Sequence, residues 1–142
     1  MAEAGAGTFT LEVVTPQRVL VREAVTELTV PGSEGYFGVL RGHLPFVITL
    51  KAGELTYWVG RDERHLAVCG GYAEVRPDTV SILADAAEPA GEIDVTRAER
   101  ARDRAEGRLA AWSAGDESVD HARALGALQR SLARLDVARK GH

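Results

Sequence analysis

A change of side-chain chemistry near residue 90 constrains this chain more than any other feature. All five prolines and most of the glycines lie before residue 92, whereas Arg97 to Lys140 contains no proline and is rich in Ala, Arg, Leu and Glu. Proline can neither donate to a sheet ladder nor continue a helix. A stretch punctuated by turn residues, followed by a proline-free run of helix formers, therefore marks a passage from strands to helices.

The first part reads as short strands between turns. Phe9, Leu11 and Val13 alternate with Thr10, Glu12 and Val14, and Thr15-Pro16 ends the run. Further runs cover Val25 to Val30, Phe46 to Leu50, Leu55 to Val59, His65 to Val68, Tyr72 to Val75 and Thr79 to Ala84. Helix-length inserts between them are missing, which disfavours a parallel sheet. Asp85 to Glu92, with Pro89 and Gly91, reads as a connector. The second part reads as two helices. Asp94 suits the first N-cap, and Ala98, Ala101, Ala105, Leu109 and Trp112 recur on one face. Ser113 to Glu117 breaks the pattern, Ser118 caps the second helix, and Leu125, Leu128, Leu132 and Leu135 form its apolar face. The expected class is β + α: an N-terminal antiparallel β-sandwich over residues 8–88 and a C-terminal two-helix antiparallel hairpin over 89–142, preceded by a disordered extension, 1–7. Gly107 and Gly126 each cost a helix about 1 kcal/mol relative to alanine. An alanine-rich face also buries little area, so the hairpin suits weak, reversible packing. The same alanines equally suit a fixed, closely packed pair.

Composition narrows the function. Hydrophobic residues make up 45% and charged residues 27%, enough for a packed core. The formal charge of −4 argues against a general nucleic-acid binder. Residues 1–92 carry 7 basic and 13 acidic side chains, residues 93–142 carry 10 and 8, and the second helix is basic enough to dock on an acidic partner surface. A single cysteine, Cys69, excludes an internal disulfide and suits a reducing compartment. No apolar run approaches the ~20 residues of a membrane helix, and Met1 to Gly7 lacks the pattern of a secretory signal. A soluble cytosolic chain without direct membrane insertion is expected. His43, His65, His121 and His142 show no metal-ligand spacing. Cys69 reads as a core residue, Gly70-Gly71 as a bulge or close backbone approach, and Asp62-Glu63 as a solvated turn. Neither a catalytic residue nor a metal site is expected.

Two stretches remain. Val30 to Pro45 is rich in glycine and proline yet holds Tyr36, Phe37, Val39 and Leu40. These residues either tuck into the sandwich or form a shaped loop for a partner. On the helices, Arg97, Arg104 and Arg108 share one face and Arg123, Arg130 and Arg134 another. The second stripe lies opposite the leucines, so a solvated surface is the default, although guanidinium forks also suit phosphates.

These residues, taken in order, resemble the epsilon subunits of bacterial F-type ATP synthases over nearly the whole chain. The matching stretches are Val14-Thr-Pro16, Val30-Pro-Gly-Ser-Glu-Gly35, Gly38-Val-Leu40 with Gly42-His43, Gly70-Gly71 with Glu74-Val75, Val80 to Ala87, and Ile93-Asp-Val-Thr-Arg-Ala98. The resemblance implies a ten-stranded sandwich that contacts a gamma subunit and the membrane rotor c-ring. It also implies a two-helix domain that reaches the alpha and beta catalytic subunits when extended and inhibits ATP hydrolysis. The implied role is a non-catalytic central-stalk subunit of a proton-translocating ATP synthase, peripheral at the cytoplasmic face of the cell membrane. The alternative is a freestanding nucleotide-binding regulatory module. By the resemblance, Glu34, Gly35, Tyr36, Phe37, Gly38, Val39, Leu40, Arg41, Gly42 and His43 face the ring. Tyr36 stands where some relatives carry an acid, and Arg41 where many carry proline. No cofactor is required, but ATP is implied as a regulatory ligand at Glu88, Ile93, Asp94, Arg97, Ala98, Arg104, Arg123, Arg130 and Arg134. Members without useful ATP affinity keep the same Ile-Asp-x-x-Arg-Ala, which also starts and packs the first helix.

Overall fold

The computed structural model describes residues 7–141, so the expected extension lies outside the described residues apart from exposed Gly7. Among those residues, eight strands precede two helices: β1 (Phe9–Val14), β2 (Val19–Val25), β3 (Glu27–Gly32), β4 (Gly35–Val39), β5 (Phe46–Thr49), β6 (Gly53–Val59), β7 (Asp62–Val75), β8 (Thr79–Pro89), α1 (Val95–Ser113) and α2 (His121–Lys140). A 3-10 turn, Ala90–Glu92, joins β8 to the helices.

Pairing runs β2-β1-β8-β7-β6-β3-β4, with β5 added to β7. The first half of β7 pairs with β6 and its second half with β5. Between those halves the β7–β8 ladder is interrupted at Gly70, and Gly70 and Gly71 adopt φ of +70° and +99°. Only glycine takes such angles without strain. The kink folds the sheet over on itself. One layer holds β2, β1, the start of β8, the end of β7 and β5. The other holds the end of β8, the start of β7, β6, β3 and β4. Counting segments by layer recovers the ten strands implied by the resemblance; the chain makes them from eight because β7 and β8 serve both layers. Phe9, Leu11 and Val13 of β1, Leu28 and Val30 of β3, Leu55 of β6, Val68 and Val75 of β7, and Val80 and Ile82 of β8 fill the space between.

Several boundaries differ from the sequence reading. One pair, β1 with β8, is parallel, because the first and last strands meet only after the chain has circled the sandwich. The run Val25 to Val30 divides at Thr26 between β2 and β3. β2 escapes alternation because Arg22 and Glu23 sit inside it; Arg22 pairs with Glu12 at 2.9 Å and Glu23 with Arg64 at 2.9 Å. The two runs at His65 and Tyr72 are one bent strand. The expected connector is strand as far as Pro89, followed by the 3-10 turn.

Asp94 caps α1, its carboxylate accepting from the Arg97 backbone N–H at 3.0 Å. Asp94→Ala is expected to lower hairpin stability by about 1 kcal/mol in helix-monitored urea unfolding. The second helix is capped by Asp120, not Ser118. Ser118 instead donates its N–H and hydroxyl to Asp116 at 3.0 and 2.6 Å, bonds that hold the Asp116 carboxyl below its ordinary pKa.

Ala98 and Ala105 of α1 are buried as the periodicity requires, but Trp112 is 45% exposed and stacks on His121 at 4.2 Å. Only part of the expected leucine face of α2 is turned inward, with Leu128 and Leu135 half-buried. Leu125 and Leu132 are 39% and 43% exposed, whereas Ala124, Ser131, Ala133 and Val137 are buried. Small side chains let α2 approach α1 and the sandwich together, which a row of leucines would hold apart. Ser131 stays satisfied by donating to the Leu128 carbonyl at 2.8 Å. α2 packs on β6, β7, β8 and the 3-10 turn, while α1 packs on α2.

Candidate functional site

The joint between hairpin and sandwich is small. Ala67 of β7, Ile93 and Val137 of α2 form its buried cluster, with Ala90 and Ala138 beside them. Burying an Ile or Val side chain stabilises by about 1.5–3 kcal/mol, so this joint is weak beside the sandwich core. Two ion pairs flank it, Arg134 Nε to Glu88 at 2.6 Å and Lys140 Nζ to Glu54 at 2.5 Å. Partly exposed pairs of this kind each contribute about 0–1 kcal/mol.

Above the joint lies a cleft of about 430 Å³, bounded by the end of β8, the 3-10 turn, the start of α1 and the middle of α2. Of the expected nucleotide-site residues, Glu88, Asp94, Arg97, Ala98, Arg104, Arg130 and Arg134 all line it. Ile93 is buried beneath it as a packing residue. Arg123 is not part of it; it lines a second cleft of about 340 Å³ with Arg108 and Asp120 near the helical turn. α2 docks with its small-residue face and turns the exposed Arg130 and the half-buried Arg134 toward α1 and β8, so of these two only Arg134 leaves the solvated stripe. Ala101 and Ala127 also line the cleft, on helix faces whose small side chains leave the room. Glu92 lines it too, and is paired with Arg18 from the β1–β2 connection, a partner that no local pattern reveals.

The charges in the cleft are unequally committed. Glu88 is bound to Arg134, Glu92 to Arg18, and Asp94 to the start of α1. Arg97, Arg104 and Arg130 form no ion pair among the described residues. The cleft therefore presents three uncommitted guanidinium groups, which suits a polyanion. Burial would lower the Arg134 pKa, but the hydrogen bond to Glu88 and the nearby Cys69 and Glu88 charges more than offset it and raise it. Burial pushes the Cys69 thiol up, only partly opposed by Arg134 and Arg130, so it is a core residue rather than a nucleophile.

The Glu34 to His43 stretch does both things its composition allowed. Glu34 sits in the β3–β4 turn and Gly35 to Val39 form β4, so half of the expected loop is strand. Phe37 and Val39 turn inward; Phe37 packs edge-on against Phe46 at 5.2 Å, and His43 lies 5.1 Å from the same ring. Tyr36 leans toward the hairpin side, accepting from the Glu54 N–H at 3.1 Å beneath Lys51. Leu40 and Leu44 point out, 61% and 79% exposed, and Arg41 and Gly42 flank them in the open turn. Val47 on β5 is 63% exposed, and together these residues leave an apolar surface at this end of the sandwich.

Two family models cover the chain: the ATP synthase delta/epsilon chain β-sandwich domain over residues 8–90 and the long α-helix domain of the same chains over 92–139. The chain belongs to the ATP synthase delta/epsilon family. It is 54% identical over 130 residues to the ATP synthase epsilon chain of Syntrophobacter fumaroxidans, spanning 92% of this chain and 95% of that one. The epsilon chain of Nitratidesulfovibrio vulgaris is 49% identical over 127 residues, 89% of this chain and 92% of that one. Among solved structures, a chain of the Euglena gracilis mitochondrial ATP synthase OSCP/F1/c-ring assembly superimposes with a TM-score of 0.77 at 26% identity, covering 94% of this chain and 82% of that chain. Delta/epsilon membership makes this a non-catalytic subunit, and a freestanding nucleotide-binding module is not favoured. No helix among the described residues is long and apolar enough to cross a membrane.

Proposed function

We propose that the sandwich is the rigid body of a rotor stalk, held by a gamma subunit and seated on a c-ring at the cytoplasmic face of the membrane, and that the hairpin is a releasable brake on ATP hydrolysis. The supporting observation is the contrast in packing. The two layers share one continuous core, whereas the hairpin rests on a three-residue cluster and two ion pairs. A torque-bearing part must be stiff, and a brake must be able to leave its seat. The apolar end at Leu40, Leu44 and Val47 supports the ring contact, because rotation carries load through whatever seats that end. The released hairpin would reach the alpha and beta subunits with the arginines of both helices.

The three uncommitted arginines support ATP as the ligand that holds the hairpin down. Ligand at ten times its dissociation constant stabilises the bound state by about 1.4 kcal/mol, enough to tip two nearly balanced states. A gap of several kcal/mol would not be reversed.

Removing residues 93–142 tests the proposal. The remaining sandwich is expected to co-purify with the other ATP synthase subunits, and ATP hydrolysis by that complex to rise severalfold over the complex with the full chain. Unchanged hydrolysis would remove the brake, and failure to co-purify would remove the stalk.

A further inference from the structure

The cleft between the helices and β8 is not the whole of the space beside α2. A second chamber of about 380 Å³ shares Arg130 and Arg134 with it and runs over the Gly70 interruption of the β7–β8 ladder. The two chambers therefore meet at two guanidinium groups one helical turn apart, about 6 Å. Burial pushes the Cys69 thiol on the floor of the second chamber up, and the charges of Arg134 and Arg130 partly oppose it, so both arginines act on this side as well. The chemistry changes across that boundary. The cleft gathers uncommitted arginines, whereas Cys69, Ala86 and Gly126 give the second chamber small walls, with Asp85 and Gln129 as polar groups. Lys51, the other cation lining it, rests over the Tyr36 ring at 4.9 Å. Asp85 is exposed and forms no ion pair among the described residues. Two glycines keep the chamber open. A Cβ at Gly70 would sit 2.5 Å from Asp85 Oδ2, and one at Gly126 would press on Arg130 Nη1 at 3.3 Å. Gly126 holds an interior position of α2 against its helix propensity.

We propose that the two chambers form one site for a dinucleoside polyphosphate, with one nucleoside in the cleft, the phosphate chain over Arg130 and Arg134, and the second base beside Asp85 and Gln129. The inference rests on the reading of the cleft as a nucleotide site and adds the class of ligand that fills the space next to it. The guanidinium forks at the boundary suit a chain of phosphates that passes from one chamber to the other. A free carboxylate repels a further phosphate but accepts from the amino group of a base, and a carboxamide both donates and accepts. Small walls with a few convergent polar groups suit a flat heterocycle. A mononucleotide occupies the cleft alone. A ligand that fills both chambers also touches the β7–β8 kink, so it ties α2 to the sandwich at more points. Because it binds the docked hairpin and not the released one, it holds the brake down more firmly than ATP.

Calorimetry on the full chain compares diadenosine tetraphosphate with ATP, which bears a similar charge, and with adenosine tetraphosphate, which adds a phosphate but no second base. The dinucleoside ligand is expected to bind about tenfold more tightly than ATP, the contribution of one hydrogen bond to a charged carboxylate. In amide NMR of the unaltered chain it is expected to shift Cys69, Gly70, Asp85 and Ala86, which ATP leaves in place. Asp85→Ala, at an exposed position, is expected to bring the two affinities within about twofold of each other. A dinucleoside ligand that binds no more tightly than ATP, or that shifts only the amides ATP shifts, overturns the proposal and leaves the ATP cleft standing. An equal gain from adenosine tetraphosphate overturns it too, because the second chamber then takes phosphate, and a gap that persists in Asp85→Ala removes the base from Asp85. Binding of the dinucleoside ligand with those shifts, but not of ATP, supports the two-chamber site and removes ATP as the ligand of the cleft. Binding of neither removes both readings.

Discussion

Alanine at Gly71 is expected to lower the stability of the folded chain by about 3 kcal/mol or more, a larger loss than at any other glycine. Two terms add. Gly71 holds φ at +99°, where an L side chain costs about 1–2 kcal/mol. A methyl group there would also overlap the Leu83 carbonyl oxygen and come within 2.8 Å of Ala84 Cα. Those are backbone atoms of β8, held by β7 on one side and, at Leu83, by β1 on the other. They cannot withdraw without breaking ladder hydrogen bonds worth about 1 kcal/mol each. The position is also the kink that turns one sheet into two layers. Gly107 makes the comparison, because nothing lies within 4 Å of a methyl group there and the helix gains up to about 1 kcal/mol from alanine. Urea unfolding followed by circular dichroism should move the midpoint down for Gly71→Ala and up for Gly107→Ala. Equal midpoints for the two variants would show that the kink tolerates a side chain.

What can be read from the sequence follows from how local each interaction is. The strand at Phe9 to Val14 is legible because its inward residues alternate without interruption. β2 is not, because Arg22 and Glu23 interrupt its alternation and their partners, Glu12 and Arg64, lie 10 and 41 residues away. The fold into two layers is half legible: Gly70-Gly71 announces a close backbone approach, but only long-range pairing shows that the two halves of β7 belong to different layers. At the hairpin, the Asp94 cap is a three-residue event and is plain from the sequence. The choice of buried face on α2 is not, because leucine periodicity measures hydrophobicity, whereas docking against two surfaces at once rewards small size at Ala124, Ser131 and Ala133. The same mismatch hides the direction of Arg130 and Arg134, and with it the cleft. The ion pair of Lys140 with Glu54 has no local signal, since 86 residues separate the two.

ATP is expected to bind the isolated chain, and Arg130→Ala combined with Arg134→Ala to weaken that binding by about a hundredfold, about tenfold for each charge-assisted hydrogen bond to phosphate that is removed. The two arginines are expected to differ in how they do so. Arg130 is exposed, with Nη1 lying 3.3 Å from where a Gly126 methyl group would sit, and it forms no ion pair among the described residues. Its removal should reduce affinity in calorimetry while leaving amide protection of α2 unchanged. Arg134 is 30% exposed and spends its Nε on Glu88. Removing it takes a cation from the cleft and also leaves the Glu88 carboxylate half-buried, unpaired and facing the phosphates. Arg134→Ala should therefore lose more affinity than Arg130→Ala and loosen the hairpin in the absence of ATP. Arg100, on the exposed face of α1 and outside the cleft, supplies the control: Arg100→Ala should leave affinity within about twofold, because a screened surface charge contributes little. Equal losses at positions 100, 130 and 134 would mean that ATP is drawn by overall charge and not by this cleft. No binding by the unaltered chain would remove nucleotide sensing and leave the brake to the packing of α2 alone, since the weak joint at Ala67, Ile93 and Val137 exists whether or not a ligand sits above it.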